Sequence, residues 1–196
     1  MGKILMRRWY LVGAVALLVA QAGGCGGSNE QTPTPTPTGP QIGGLSNAEV
    51  ASVVQAINET EIQLATLAVD RASDDLVRRL AQRIVDQHTQ AQAQLTQMFS
   101  QFSLQPVNHE LGQQVRDEAT RERTRLDAAP KGGMFDRIFI DGQLQLLNSD
   151  IRLINNRLVE SATIPEYRQA LEQLRDNVND RFNEALLIRD SGAVPH

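Results

Sequence analysis

One cysteine, Cys25, serves the whole 196-residue chain. A lone cysteine excludes an intramolecular disulfide, a cysteine-based zinc site and an iron–sulfur cluster. Aromatic residues are scarce at 4%, so Ala, Leu, Val and Ile must fill any core. Strand-like β-branched runs are missing, while helix-forming Ala, Leu, Gln, Glu and Arg dominate. There is no Glu-x-x-His, no glycine-rich phosphate loop after a strand, and no Ser–His–Asp or Cys–His set with positional support. Basic residues do not cluster into a patch with interleaved aromatics, and the formal net charge is -4. Both features argue against a nucleic-acid partner. With no catalytic constellation in sight, the chain is expected not to be an enzyme.

What is present begins with an export leader over residues 1–24. Lys3, Arg7 and Arg8 form a positive start, and Trp9 to Ala20 form an apolar run of 12 residues. A spanning helix needs roughly 20 residues, so the run is a poor permanent anchor. The stretch "QAGGC" follows and resembles a bacterial lipoprotein signal. That resemblance implies cleavage before Cys25 and attachment of a diacylglyceryl lipid to its sulfur, hence a membrane partner. "AQA" at Ala20 to Ala22 offers ordinary cleavage before Gly23 as the competing outcome. Gly26 after the cysteine implies the periplasmic face of the outer membrane in a two-membrane bacterium. Loss of the leader takes the formal charge to about -7, with 16 basic against 23 acidic side chains.

Residues 25–44 contain "GGSNEQTPTPTPTGPQIGG", which cannot bury apolar surface and is expected to be a disordered tether. Extended Thr-Pro repeats at about 3 Å per residue could hold a domain a few tens of Å from a membrane.

From Leu45 the pattern is helical. "LSNAEV" is a capping box, with Ser46 as N-cap and Glu49 three residues on. One apolar stripe runs Val50, Val53, Val54, Ile57, Leu64, Leu67 and Ala68. After "ASDD", where Ser73 is a plausible N-cap, a second runs from Leu76 through Leu80, Ile84 and Leu95 to Phe102. Pro106 ends it. The polar stretch 109–130 predicts a short crossover helix spanning one end of a bundle, its charge run "RDEATRERTR" a solvated face. A long helix is predicted over about Met134 to Ser161. A last one carries Tyr167, Leu171, Leu174, Val178, Phe182, Ala185 and Ile188. The expected fold is all-α: an antiparallel four-helix bundle of two long hairpins over 45–190, with a frayed tail over 191–196.

Three polar residues interrupt these stripes: Glu61, His88 and Arg181. Residues equidistant from a hairpin turn face each other. Glu61 and His88 flank the "SDD" turn symmetrically, and Arg181 and Leu147 flank the "IP" turn. Each lies about 20 to 25 Å from its turn, so Glu61, His88, Leu147 and Arg181 should share one interior level.

The segments "INETEIQLATLAVDRAS", "LAQRIVDQHTQAQAQL" and "GGMFDRIFIDGQLQLL" make the chain, over about Leu45 to Ile188, similar to a bacterial family of exported ferritin-like four-helix domains usually labelled membrane proteins. The resemblance implies a metal-ligand-like layer: an acidic residue on the first helix, Asp and His on the second, Asp-His on the third long helix, and His on the last. Glu61 matches the first position, and Asp86 and His88 the second. Leu146 and Leu147 stand where Asp-His would be, and Arg181 where the last His would be. Leucine cannot donate to a metal and arginine would repel one.

The main expectation is therefore a core polar layer of Glu61, His88 and Arg181 that has become structural, with Arg181 neutralising Glu61 and no cofactor. Functionally this is a non-enzymatic, lipid-anchored envelope module that is structural or meets a protein partner. One alternative is a metal-binding or redox protein using Glu61 and His88 with Asp86 or water, holding a divalent transition metal. Another is a binder or sensor of a small ligand between helix pairs. His109, at a helix start, is read as a surface residue, and the last residue, His196, is expected to be disordered.

Overall fold

Local sequence sets where each helix starts and stops. The computed structural model describes residues 44–194, all within the second of the chain's two units, Thr38–His196. Cys25, the leader, the tether up to residue 43, and His196 lie outside the described residues. Ser46 caps α1 (Asn47–Arg71) through the expected box, its hydroxyl accepting from Glu49 N at 3.3 Å while Glu49 Oε2 accepts from Ser46 N at 2.8 Å. The cap of α2 (Asp75–Gln101) is Asp74 rather than Ser73, with Asp74 Oδ1 accepting from Leu76 N at 2.7 Å. Helix α2 stops where Ser103 adopts a left-handed φ of 52° and Leu104 N returns to Phe99 O at 2.8 Å. His109 caps α3 (Glu110–Ala128), its Nδ1 accepting from Leu111 N at 3.1 Å.

Gly132, at φ 97°, opens α4 (Gly133–Leu153) in a conformation that favours glycine. The predicted long helix is one rod with a widened turn: α4 passes through a π-helical stretch, Ile154–Leu158, into α5 (Val159–Ser161). Pro165 begins α6 (Pro165–Asp190), where its missing N–H costs nothing. The tail does not fray at 191. Val194 is only 2% exposed and packs into the core.

Helices α1 and α2 form one antiparallel hairpin, and α4 and α6 the other, with α2 packed on α6. The connecting helix α3 does not span an end of the bundle. It contacts both α1 and α4 and runs parallel to α1. At one end of that run Val107 N donates to Ala48 O at 2.9 Å. At the other, Arg71 donates to Leu126 O at 2.9 Å and Ala129 O at 2.8 Å. The crossover must travel the bundle's length because α2 finishes beside the start of α1, whereas α4 starts beside the α1–α2 turn. Asp136 fixes that start: its carboxylate, fully buried, accepts from Ser73 N at 2.9 Å, Asp74 N at 2.9 Å and the Ser73 hydroxyl.

The buried apolar residues form two clusters. One gathers Leu64, Leu80, Ile84, Phe135, Phe139, Ile140 and Ile188. The other gathers Val50, Val53, Ile57, Leu95, Leu147, Leu158 and Tyr167. On α1, α2 and α6 buried polar side chains fall between the two clusters (Asn58 and Glu61, His88, Arg181), whereas on α4 the clusters meet at Leu146 and Leu147 with Gln143 and Asp150 on either side. Among the described residues no helix is long and apolar enough to cross a membrane.

Candidate functional site

The dividing level is where the interrupted stripes meet. Glu61 (2% exposed), His88 (3%) and Arg181 (6%) are all buried, and Leu147 is fully buried. Three further polar residues join them: Asn58, Gln143 and Asp150. On α1, Asn58 and Glu61 are three apart. On α4, Gln143, Leu147 and Asp150 lie four and three apart, so each set shares a helix face.

The side chains are held by one another. Asn58 Nδ2 donates to Gln92 Oε1 at 3.3 Å, which turns the Asn58 carbonyl toward His88. His88 Nδ1 lies 2.9 Å from that carbonyl oxygen. A carbonyl only accepts, so Nδ1 carries the proton. Burial, with the nearby Arg181 cation, pushes His88 down to about 4, and the ring is neutral at physiological pH. The Gln143 side chain hydrogen-bonds to the Glu61 carboxyl. Glu61 Oε2 and Gln143 Oε1 are buried without a partner among the described residues. Burial pushes Glu61 up to about 7, its bond from Gln143 only partly offsetting this. Asp150 is raised well above the usual carboxylate range by burial and by the charges of Glu61 and Glu118. A cavity of about 190 Å3 opens beside Asp150 between α3 and α4, with Glu118 also on its wall.

The expected Glu61–Arg181 ion pair is not formed. Among the described residues Arg181 holds no ion pair. Burial lowers its pKa, as does Arg83, while Asp180 raises it. Burial favours the protonated form of both carboxyls, Glu61 ionising only as pH rises through about 7, since an unpaired buried charge is the costlier state.

Asp86 does not join the layer either. It is exposed, its Oδ1 accepting from Gln82 Nε2 at 2.9 Å. In "DQH" the aspartate falls two residues from His88, which on a helix turns it away. At the two positions where the resemblance implies further ligands, Glu61 and His88 meet apolar Leu147 and cationic Arg181. Among the described residues no group of three or more His, Cys, Asp or Glu side chains is placed to hold a metal ion. The donor set at this level does not fit a transition metal, which needs several converging N, O or S ligands. The layer contains no activated nucleophile, and its titratable groups face inward. Asn58, Gln143 and Asp150 escaped the sequence reading. The signal that could have found two of them is the four-and-three spacing of Gln143 and Asp150 about Leu147.

The class of protein is thus an all-helical bundle built around an internally bonded polar layer. The chain belongs to the DUF4142 family, a domain of unknown function whose model matches residues 31–186. No curated protein matches it. Its fold is similar to the crystal structure of a DUF305 protein from Streptomyces coelicolor described as secreted. The two share 15% identity at a TM-score of 0.62, covering 76% of this chain and 96% of that one.

Proposed function

We propose that this protein is a non-enzymatic module of the bacterial cell envelope, anchored by lipid on Cys25 and acting as a structural or interaction domain whose metal layer is degenerate. The observation that carries the reading is the His88–Asn58 hydrogen bond of 2.9 Å, which commits His88 Nδ1 to an amide within a layer that also holds Glu61, Gln143, Asp150, Leu147 and Arg181. A ligand histidine needs convergent donors, and this one faces an amide, an aliphatic chain and a cation. The single full-length crossover supports a ferritin-like ancestry, since ferritin-like bundles carry one such connection. The leader supports export, and the Streptomyces chain described as secreted is in keeping with it.

Full-length protein expressed in a bacterium with labelled fatty acid tests the anchor. Label and membrane association are expected in the native chain and lost in Cys25→Ser. Secretion of unlabelled protein cut after Ala22 would overturn the anchor. Elemental analysis of the same preparation, offered Fe(II), Zn(II), Mn(II) and Cu(II), tests the layer. Near-stoichiometric metal that vanishes in His88→Ala would replace this reading with the metal-binding one.

A further inference from the structure

Helix α3 is bonded to α1 at both ends but stands off it in the middle. A cleft of about 250 Å3 opens there. Its two walls differ in chemistry. Helix α3 contributes Arg116 and Arg123, seven apart and therefore on one face. Helix α1 contributes Glu59, Thr60 and Gln63, and the floor is apolar Leu64 with Ala119. Arg116 Nη2 and Glu59 Oε2 form a loose ion pair across the cleft at 3.8 Å, beyond hydrogen-bond distance, while Glu59 Oε1 accepts from Gln55 Nε2 at 2.9 Å, so a ligand carboxylate competes with Glu59 Oε2 for Arg116. Arg123 donates through Nε to Asp127 at 2.8 Å, which leaves its Nη groups to donate elsewhere. The Thr60 hydroxyl donates to Ala56 O at 2.8 Å, so toward the cleft it offers lone pairs. One wall thus supplies fork-shaped cationic donors and the other acceptors, above a small apolar floor.

We propose that the α1–α3 cleft binds a small carboxylate that carries a hydroxyl or ammonium donor at its other end. Guanidinium donors match a carboxylate in geometry and charge. Glu59 and Thr60 accept from the ligand's donor, and its carbon chain covers Leu64 and Ala119. Glu59 disfavours a bare polyanion such as phosphate, which would bring negative charge to both walls. The Val107–Ala48 bond and the Arg71 bonds to Leu126 and Ala129 fix the span between the walls before any ligand arrives, which lowers the ordering cost of binding. This site is separate from the polar layer, and its success or failure leaves the role of Glu61 and His88 unchanged.

Isothermal titration of the full-length protein with glutamate, galacturonate, acetate and inorganic phosphate tests it. Glutamate or galacturonate is expected to bind with one-to-one stoichiometry and more tightly than acetate or phosphate. Arg116→Gln and Arg123→Gln should each weaken that binding about tenfold or more. Glu59→Gln should weaken glutamate but not acetate. All three side chains are partly exposed, and circular dichroism checks that the variants fold. If Arg116→Gln does not, Arg123→Gln carries the comparison. Absence of heat with both glutamate and galacturonate at millimolar concentration overturns the proposal. So does binding that survives Arg123→Gln, or phosphate binding as well as glutamate.

Discussion

Replacing Glu61 with glutamine should make the bundle more stable, and only above a definite pH. In the folded protein the carboxyl is pushed up to about 7 by burial, from an ordinary value of 4.5. A group whose folded value is raised contributes stability that is fully present below the unfolded value and lost as pH rises through the folded one. Glu61 therefore costs nothing below about pH 4.5, and its cost grows to a plateau above about pH 7. A shift from 4.5 to about 7 corresponds to about 3 kcal/mol at that plateau.

Glutamine keeps the shape and the oxygen that meets Gln143 but cannot ionise. At pH 8 Glu61→Gln should gain about 3 kcal/mol, or roughly 6 to 12 °C in melting temperature for a domain of this size. At pH 4.5 the two proteins should melt within a degree or two. His88 is pushed down to about 4, so its contribution is present above about 6.5 and lost as pH falls through 4. That loss occurs in both proteins and cancels in the difference. Because Asp150 is raised partly by Glu61, the titration belongs to the pair, and part of the gain comes from Asp150 ionising at lower cost in the variant. Melting curves by circular dichroism from pH 4.5 to 8 supply the test. A difference in stability that does not change with pH would refute the reasoning, and a loss at pH 8 would reverse it.

Three other substitutions probe the remaining supports. Arg181→Met removes a buried cation that holds no ion pair among the described residues, so stability should hold or rise rather than fall; by NMR titration the His88 pKa should rise, because Arg181 is one cause of its depression. A loss of several kcal/mol would mean that Arg181 neutralises a carboxylate after all. Asp136→Asn weakens the acceptor for three donors of the α1–α2 turn and should cost about 2 to 4 kcal/mol in urea denaturation. A loss under about 1 kcal/mol would remove the latch from the account. Leu147→Ala opens a cavity under the layer and should cost about 2 to 5 kcal/mol by the same assay; no change would mean that the site collapses around it.

Much of this architecture was legible in the chain. Four apolar stripes of helical period, with Ser46 and Glu49 announcing the first, are local patterns that need no knowledge of the fold. Glu61, His88 and Arg181 stood out because each breaks a stripe. Asn58, Gln143 and Asp150 did not, since polar residues at the edge of a stripe read as solvent-facing. Asn58 is covered by α2, where it meets His88 and Gln92, Gln143 turns to Glu61, and Asp150 lies under α3 beside Glu118, whose charged run gives no hint of which side it covers. Ser73 and Asp74 are both good caps, and the choice between them depends on Asp136, more than sixty residues away. The π-helical turn at Ile154–Leu158 has no sequence signature that single-chain reasoning can read. Arg181 holds no ion pair among the described residues, contrary to the expectation, because levels along a bundle fix height but not whether two side chains point at each other.

The polar belt between the two apolar halves also works as a key for alignment. Four helices with uniform greasy faces could slide past one another by a turn, about 5.4 Å, at little cost. Here such a slip would carry Glu61 or His88 into the aliphatic packing around Leu64 or Ile57 and strand it there without Gln143 or Asn58. A chain with so few aromatics has few bulky knobs to lock its register. Its buried amides and acids supply that discrimination, and the folded state is singled out from its near neighbours by what those neighbours would leave unbonded.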